Sequence, residues 1–226
     1  MSLRACARNI GMTKNNTYKK FLWFGALAQS IKKNLLMQAE VLFFDEMQTF
    51  EHTKCKPLSV ALMVNEKYEI LDIQVAEMPS TGKLAEISLK KYGPRNDHRE
   101  EALQKLFQNI KSALTTAPVL IKSDGHPSYP KFVKQYFPEI KYEQHSRSEK
   151  ERHRDRLHES HTKREYDPMF ELNQRCAKIR SDIKRLARRT WCTTKRWVNL
   201  QRHLDLMMVA QHMGWIQVTN SYWKVV

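Results

Sequence analysis

Two aspartates each follow a short apolar run, and they are the first residues in the sequence whose chemistry suggests a reaction. Asp45 ends the run 40–45, and Asp124 follows the run 118–123. A carboxylate at the end of a buried strand is expected outside the core. If the two strands are neighbours, the two negative charges repel each other unless a cation lies between them. Mg²⁺ suits such oxygen ligands, and a pair of these ions can catalyse displacement at a phosphodiester.

A third acidic ligand is expected from the helix that follows the last predicted strand. The candidates are Glu165, Asp167 and Glu171. Asp167 precedes Pro168, a pair typical of a helix start, so Asp167 is explained as a cap. Glu165 falls in a loop, whereas Glu171 lies about one turn inside the helix, where a side chain is well fixed. We therefore predict Glu171 as the third ligand. The competing interpretation treats all three acids as strand ends and exposed surface charges.

Hydrophobic periodicity predicts the elements that must position these acids. The segment 68–76 alternates with period two, and Asn65-Glu66-Lys67 before it suits a hairpin turn. The full series predicts the order βββ-α-β-α-β, with strands at 40–45, 58–64, 68–76, 118–123 and 140–143 and helices at 98–114 and 129–136. Residues 79–95, with two prolines and two glycines, are predicted as a loop.

This order predicts an α/β fold: a mixed five-stranded sheet with helices on its faces, built from three antiparallel strands and two crossover units. In a ribonuclease-H-like sheet of this order the first and fourth strands are adjacent. Asp45 and Asp124, 79 positions apart in the sequence, would then lie side by side.

The net charge of +15 is unevenly distributed along the chain. Residues 1–39 carry seven basic and no acidic residues, residues 40–144 carry 14 and 15, and residues 145–226 carry 18 and nine. A near-neutral centre between two basic segments indicates a polyanion held from both sides. A merely soluble, charged surface would not explain this segregation.

The N-terminal basic segment is predicted as a helix-turn-helix-like DNA-binding arm, residues 1–38. One helix is expected at 3–9 and a second from Thr13 or Asn15 to about Ser30, with a break at Gly11. In this motif the second helix enters the major groove. The competing interpretation is a helical packing arm. The DNA-binding residues expected on the second helix are Lys14, Asn16, Lys19 and Lys20.

The remainder, 39–226, is predicted as the catalytic domain, with a basic linker at 144–166 and C-terminal helices within 167–213. The linker has one large apolar residue, Leu157, and four histidines. We interpret these histidines as part of a polar, DNA-facing loop, with a zinc site as the alternative. One C-terminal helix is expected from 167 to about 189 and another from 197 to 213. The residues expected to contact DNA here are Arg175, Lys178, Lys184, Arg185, Arg188 and Arg189.

The cysteine pattern, the lengths of the apolar runs and the N-terminal residues predict a cytosolic protein. The four cysteines include no CxxC pair, and no apolar run approaches the ~20 residues needed to cross a bilayer. The first residues lack the apolar stretch of a signal peptide.

These features resemble the bacterial insertion-sequence DDE transposases, nearest to the insertion-sequence-one type. The resemblance covers nearly the whole chain, and its last block is the most specific. Its blocks are 2–11, then Phe43-Phe44-Asp45-Glu46-Met47, then 122–129 (Lys-Ser-Asp-Gly-His-Pro-Ser-Tyr), and finally 170–173 with 183–192.

The resemblance implies that Asp45, Asp124 and Glu171 bind two Mg²⁺ or Mn²⁺ ions in a ribonuclease-H-like core. It implies cleavage at the terminal inverted repeats of an insertion sequence and transfer of the 3′ ends to target DNA. The partners would be double-stranded DNA at the bacterial nucleoid and further copies of the chain on paired ends. Family members carry a cysteine-bearing zinc module before the helix-turn-helix, which we expect this chain to lack. The alternatives are therefore a truncated, non-catalytic DNA-binding inhibitor and a structure-specific nuclease of the same fold.

Overall fold

A mixed five-stranded sheet forms the centre of the protein, as a computed structural model covering residues 2–145, 167–187 and 193–215 shows. The strand order is β3-β2-β1-β4-β5; β1, β2 and β3 pair antiparallel, whereas β4 runs parallel to β1 and to β5. This confirms the predicted α/β sheet, and the order is consistent with a ribonuclease-H-like fold. The strands are β1 (Val41–Phe50), β2 (Pro57–Asn65), β3 (Ile70–Glu77), β4 (Leu120–Asp124) and β5 (Lys141–His145).

Helices precede, separate and follow these strands. In the described part of the chain they are α1 (Leu3–Asn9), α2 (Lys14–Lys32), α3 (Ala85–Tyr92), α4 (Arg99–Ala113), α5 (Tyr129–Tyr136), α6 (Phe170–Asp182) and α7 (Trp197–His212), with 3-10 turns at Gly82–Leu84 and Lys184–Leu186. Across the ranges given above, none of the helices is both long and apolar enough to cross a membrane.

Two local predictions were wrong. The segment 79–95 contains α3, because its glycines and prolines flank a run of helix formers; Gly93, at φ +76°, ends the helix. The basic helix stops at Asp182, well short of residue 189. Ile183 leaves the helical conformation with ψ 92°, and both Ile183 and Leu186 are buried by this change of direction. Tertiary packing here overrides the helical propensity of the sequence.

The prediction that Asp45 ends the first strand was also wrong, because β1 continues to Phe50 and places Asp45 within the strand. The other boundaries agree with expectation to within about three residues. The predicted turn at Asn65 is present, since the side-chain Oδ1 of Asn65 accepts the backbone N–H groups of Lys67 and Glu69. Strand β5 extends to His145, so it overlaps the first two residues of the predicted linker. The rest of that linker, including its other three histidines, lies outside the described residues.

Aromatic packing holds one face of the sheet to α4 and α5. The ring of Phe44 in β1 packs edge-on against Phe107 of α4, with 4.9 Å between centroids, and lies 4.8 Å from the ring of Tyr129 at the start of α5. All three side chains are almost fully buried. Burying each such side chain contributes roughly 1.5–3 kcal/mol to folding. The first residue of α5 is thus anchored to the strand that carries Asp45.

Helix α7 covers the free edge of β3. The Gln201 side chain accepts the backbone N–H of Val75 at 2.7 Å and donates to the carbonyl of Ile73 at 2.9 Å. Further along the helix, Gln211 accepts the N–H of Ile70, and His212 bonds the carbonyl of the same residue. Side chains of α7 therefore replace the hydrogen bonds that another strand would make with this edge.

A buried ionic cluster fastens α2 to the sheet and to α7. The ammonium of Lys32 contacts the carboxylates of Asp72 in β3 and Asp205 in α7, and it donates to the carbonyl of Ile73 at 3.1 Å. Both carboxylates are about 1% exposed. Burial acts to lower the pKa of Lys32, but Asp72 and Asp205 outweigh it and hold the pKa above its usual value.

The N-terminal helices therefore pack onto the rest of the chain. The ring of Phe21 in α2 meets His203 of α7 edge-on, and Gly25 lets the side chain of Arg202 approach closely, since a Cβ there would lie 2.9 Å from it. The pair of helices joined at Gly11 is confirmed. Its role as a DNA-binding helix-turn-helix, and a domain boundary at residue 38, stay predictions.

We predict that Lys32→Met lowers the free energy of unfolding by about 3–5 kcal/mol, because it leaves two buried carboxylates without their cation. The measurement is urea unfolding followed by circular dichroism. Lys33→Met, at the exposed neighbouring position, is the matched control and should change stability by less than about 0.5 kcal/mol. Equal stability of the two variants would contradict the role of Lys32.

Candidate active site

Asp45 and Asp124 lie on adjacent strands and on the same face of the sheet. The parallel register pairs Phe43 with Lys122 and Phe44 with Ser123, so the next step along both strands is Asp45 beside Asp124. The ammonium of Lys122 lies 5.6 Å from the ring centroid of Phe43, which places both on one face. Side chains two residues further along each strand point to that same face. The predicted juxtaposition of these two acids follows from the register.

The two carboxylates influence each other electrostatically. Burial, followed by the negative charge of Asp124, raises the pKa of Asp45 to about 7. Hydrogen bonds from the backbone N–H of Glu46 and from the hydroxyl of Tyr129 act in the opposite direction. Near neutral pH a proton thus competes for a carboxylate that a cation would stabilise in its charged form.

Tyr129 and Glu46 are site residues that sequence reasoning missed. The hydroxyl of Tyr129 lies 3.2 Å from Oδ1 of Asp45 and 3.3 Å from Oε2 of Glu46. The other oxygen of Glu46 accepts the hydroxyl of Ser59 at 2.5 Å. The only sequence signal was an aromatic residue five positions after the second acid, and no periodicity distinguishes it from a core residue.

The loop after Asp124 is held in place by polar contacts. Oδ1 of Asp124 accepts the backbone N–H of His126 at 3.1 Å, and Gln144 donates its side-chain amide to the carbonyl of His126 at 2.8 Å. The ring of His126 lies 4.9 Å from that of Tyr129. His145 pairs with Asp124 in the β4–β5 register. Its Nε2 is buried and has no hydrogen-bond partner among the described residues, although Glu143 lies 3.7 Å away.

Glu171 lies in the first turn of α6, which packs over β1 and β2. Its Oε2 is buried and has no hydrogen-bond partner in the described part of the chain. On the same helix, burial raises the pKa of Cys176 to about 12, and the charge of Asp45 also acts to raise it. Within residues 2–145, 167–187 and 193–215, however, no three acidic, histidine or cysteine side chains are grouped so as to hold a metal ion. The structure thus brings together the first two predicted ligands and leaves Glu171 outside that set.

The alternative third ligands have different positions. Asp167 accepts the backbone N–H of Met169 at 3.0 Å and the side-chain amide of Asn173 at 2.8 Å, so it organises the start of α6 as a cap would. Glu165 lies outside the described residues.

The predicted DNA-binding residues other than Arg175 fall into three groups. Lys14, Asn16, Lys19 and Lys20 are exposed on α2, and Lys184 is exposed after α6. Lys178 is paired with Asp182, and Arg185 is partly buried. Arg188 and Arg189 lie outside the described residues.

Arg175 does not fit the expected role. It is 8% exposed, and its Nε donates to the carbonyl of Tyr68 at 2.6 Å, in the turn between β2 and β3. Burial lowers the pKa of its guanidinium. The reason is helical phase, since Leu172, Arg175, Cys176 and Ile179 share the buried side of α6.

Comparisons with known proteins leave the family of the chain open. No protein-family model matches it, and no curated protein does. Among solved structures it is similar to a chain of the simian T-cell lymphotropic virus intasome in complex with PP2A regulatory subunit B56 gamma, determined by cryo-electron microscopy. The identity is 12% and the TM-score 0.33, over 77% of this chain and 50% of the other. The protein thus spans about half of that chain, and a similarity this low supports no conclusion about function.

We predict that Asp45→Asn stabilises the metal-free protein at pH 8 by roughly 1–3 kcal/mol. The pKa of about 7 lies above the ordinary value of 3.8. The stabilisation of the folded state by this protonated carboxyl is therefore complete below about pH 4 and is lost as the pH rises through 7. Chemical unfolding in EDTA at pH 4 and pH 8 measures the difference, which should nearly vanish at pH 4.

Asp97→Asn is the control for this measurement. Its hydrogen bonds from Arg99 hold the pKa of Asp97 below its usual range, so the substitution should bring no gain at pH 8. If Asp45→Asn were less stable than the parent protein at pH 8, the negative charge of Asp45 would not destabilise the folded state, and the prediction would be wrong.

Proposed function

We propose that this protein is a DNA transposase of the insertion-sequence DDE type, related to the insertion-sequence-one group. It would cleave DNA at terminal inverted repeats and transfer the 3′ ends to target DNA. The observation that carries the proposal is the pair Asp45 and Asp124, two acids on adjacent parallel strands with a pKa of about 7 at Asp45.

The residues around this pair fit a hard divalent cation. All the candidate donors are carboxylate oxygens, which Mg²⁺ and Mn²⁺ prefer. A buried Oε2 of Glu171 without a protein partner is costly unless it meets a cation or water. Asp45 and Asp124 would hold the ions, and Glu171, which is not grouped with them in the structure, is the third ligand that the resemblance implies. Two bound ions would supply activation of a water or 3′-hydroxyl and stabilisation of the leaving oxygen.

The chain's own residues would orient and hold the reacting groups. The β1–β4 register sets the spacing of Asp45 and Asp124, and the contacts of His126 hold the loop after Asp124 against β5. Exposed lysines on α2 would hold DNA phosphates. We further propose that copies of the chain assemble on paired DNA ends at the bacterial nucleoid.

A second candidate is a non-catalytic DNA-binding protein that occupies the same ends and inhibits transposition. The observation that favours it is the position of Glu171, which leaves Asp45 and Asp124 without a third grouped ligand among the described residues. In this case the basic surface would function without the carboxylates.

We predict joined product in a strand-transfer assay with purified protein, labelled inverted-repeat DNA, supercoiled target and Mg²⁺ or Mn²⁺. Asp45→Asn, Asp124→Asn and Glu171→Gln should each reduce the product at least about 100-fold, because each removes a charge that would bind metal. Glu86→Gln, at an exposed acid of α3, is the control and should be fully active.

The pattern of loss separates the candidates. DNA binding without cleavage, in the presence of either metal ion, would contradict the proposed transposase activity and favour the non-catalytic inhibitor. Loss in the two aspartate variants with an active Glu171→Gln would keep the enzyme and remove Glu171 from its site.

We predict that DNA affinity falls steeply with salt and that the exposed lysines of α2 contribute to the slope. The double variant Lys19→Gln, Lys20→Gln should reduce the slope of the logarithm of the binding constant against the logarithm of the salt concentration by about 1–2. The reason is that a protein with fewer phosphate contacts releases fewer counterions from the DNA when it binds. The measurement is fluorescence anisotropy between 50 and 300 mM salt, roughly the range in which such effects are large.

Lys134→Gln, at an exposed lysine of α5, is the matched control. If the double variant showed the same salt dependence of DNA affinity as the parent protein, Lys19 and Lys20 would not contact the DNA.

A further inference from the structure

Tyr129 stands between two carboxylates of the site, and its surroundings hold it there. Its ring packs against Phe44 of β1 and His126 of the following loop, at 4.8 and 4.9 Å between centroids. The side chain is 1% exposed. Its hydroxyl lies beside two carboxylates, which can only accept, so the hydroxyl acts as the donor.

The two oxygens of Asp45 are used differently. Oδ1 lies 2.6 Å from the backbone N–H of Glu46 and 3.2 Å from the hydroxyl of Tyr129, so both contacts fall on one atom. Oδ2 accepts no hydrogen bond from any of the described residues. An aspartate side chain has only two torsions, and fixing one oxygen with two donors fixes the direction of the other.

Glu46 shares the single hydroxyl hydrogen of Tyr129 with Asp45, and each of its two oxygens lies within hydrogen-bond distance of a hydroxyl. Its Oε1 accepts the hydroxyl of Ser59 at 2.5 Å, and its Oε2 lies 3.3 Å from the hydroxyl of Tyr129. Although it is a carboxylate adjacent to Asp45, its contacts are those of a structural acceptor. Glu46 keeps the phenol of Tyr129 close to β1. At this place β4 has ended, at Asp124, whereas β1 continues to Phe50.

We propose that Tyr129 is a positioning residue of the metal site, which holds Asp45 through Oδ1 so that Oδ2 is presented to the cation. This inference rests on the proposed function, since it assumes that Asp45 binds a metal ion. Hydrogen bonds to the ligands of a metal commonly contribute 10–100-fold to its affinity or to activity. The competing role is packing alone, in which the ring of Tyr129 fills the core and its hydroxyl is incidental.

Tyr129→Phe separates these roles, because it keeps the ring against Phe44 and removes only the hydroxyl. Tyr136→Phe is the matched control: it lies seven residues further along the same helix, where its ring stacks on Phe107. The full-length variants are titrated with Mn²⁺, with free Mn²⁺ followed by electron paramagnetic resonance. Thermal unfolding in EDTA checks that each variant is folded.

We expect Tyr129→Phe to bind Mn²⁺ about 10-fold more weakly, Tyr136→Phe to bind like the parent protein, and Asp45→Asn to lose binding. In the strand-transfer assay, raising the concentration of Mn²⁺ should restore Tyr129→Phe but not Asp45→Asn, because only the former keeps the ligand. A merely structural tyrosine would change stability without changing metal affinity.

The outcomes distinguish this inference from the function it rests on. A parent protein that binds no Mn²⁺ would overturn the proposed metal site and the role of Tyr129 together. A parent protein and Tyr129→Phe that bind Mn²⁺ equally well would overturn the role of Tyr129 alone and leave the proposed function standing.

Discussion

Parallel pairing between β1 and β4 is the constraint on which the candidate site depends. Each hydrogen bond of that ladder keeps two residues 79 positions apart in line, from Val41 with Leu120 to Phe44 with Ser123. Where the ladder ends, two carboxylates face each other, and backbone geometry holds them despite their repulsion. The apolar residues before each acid supply the burial that offsets this cost.

Packing on the opposite face of the sheet also contributes to the position of Asp45. Phe44 binds α5 to β1 through the ring of Tyr129, and the hydroxyl of that ring returns to Asp45. Tyr129 therefore belongs both to the hydrophobic core, through its ring, and to the candidate site, through its hydroxyl. At the far edge of the sheet, the charge cluster around Lys32 ties α2 to β3 and α7, so the basic N-terminal helices are held by the same sheet.

Sequence reasoning succeeded where one-dimensional patterns carry the information. Apolar runs ending in acids located Asp45 and Asp124, and the element order predicted the sheet. It failed where three-dimensional packing decides. Arg175 sits on the buried side of α6 because the helix is rotated to bury Ile179, and a basic run in the sequence does not reveal that phase. Tyr129 was predicted only as the start of a helix, since a contact across 84 positions leaves no local signature.

The cover that α7 places over β3 has a consequence for synthesis of the chain. The strand is complete at Glu77, but the side chains of α7 that bond its edge belong to a helix that begins at Trp197, about 120 positions later. At 5–20 residues per second, the edge stays uncovered for roughly 6–25 s after it leaves the ribosome. A nascent sheet with an open edge is a template for pairing with other chains. Helix α7 therefore protects the completed chain rather than the growing one, whose β3 edge stays open to other chains until α7 has been made.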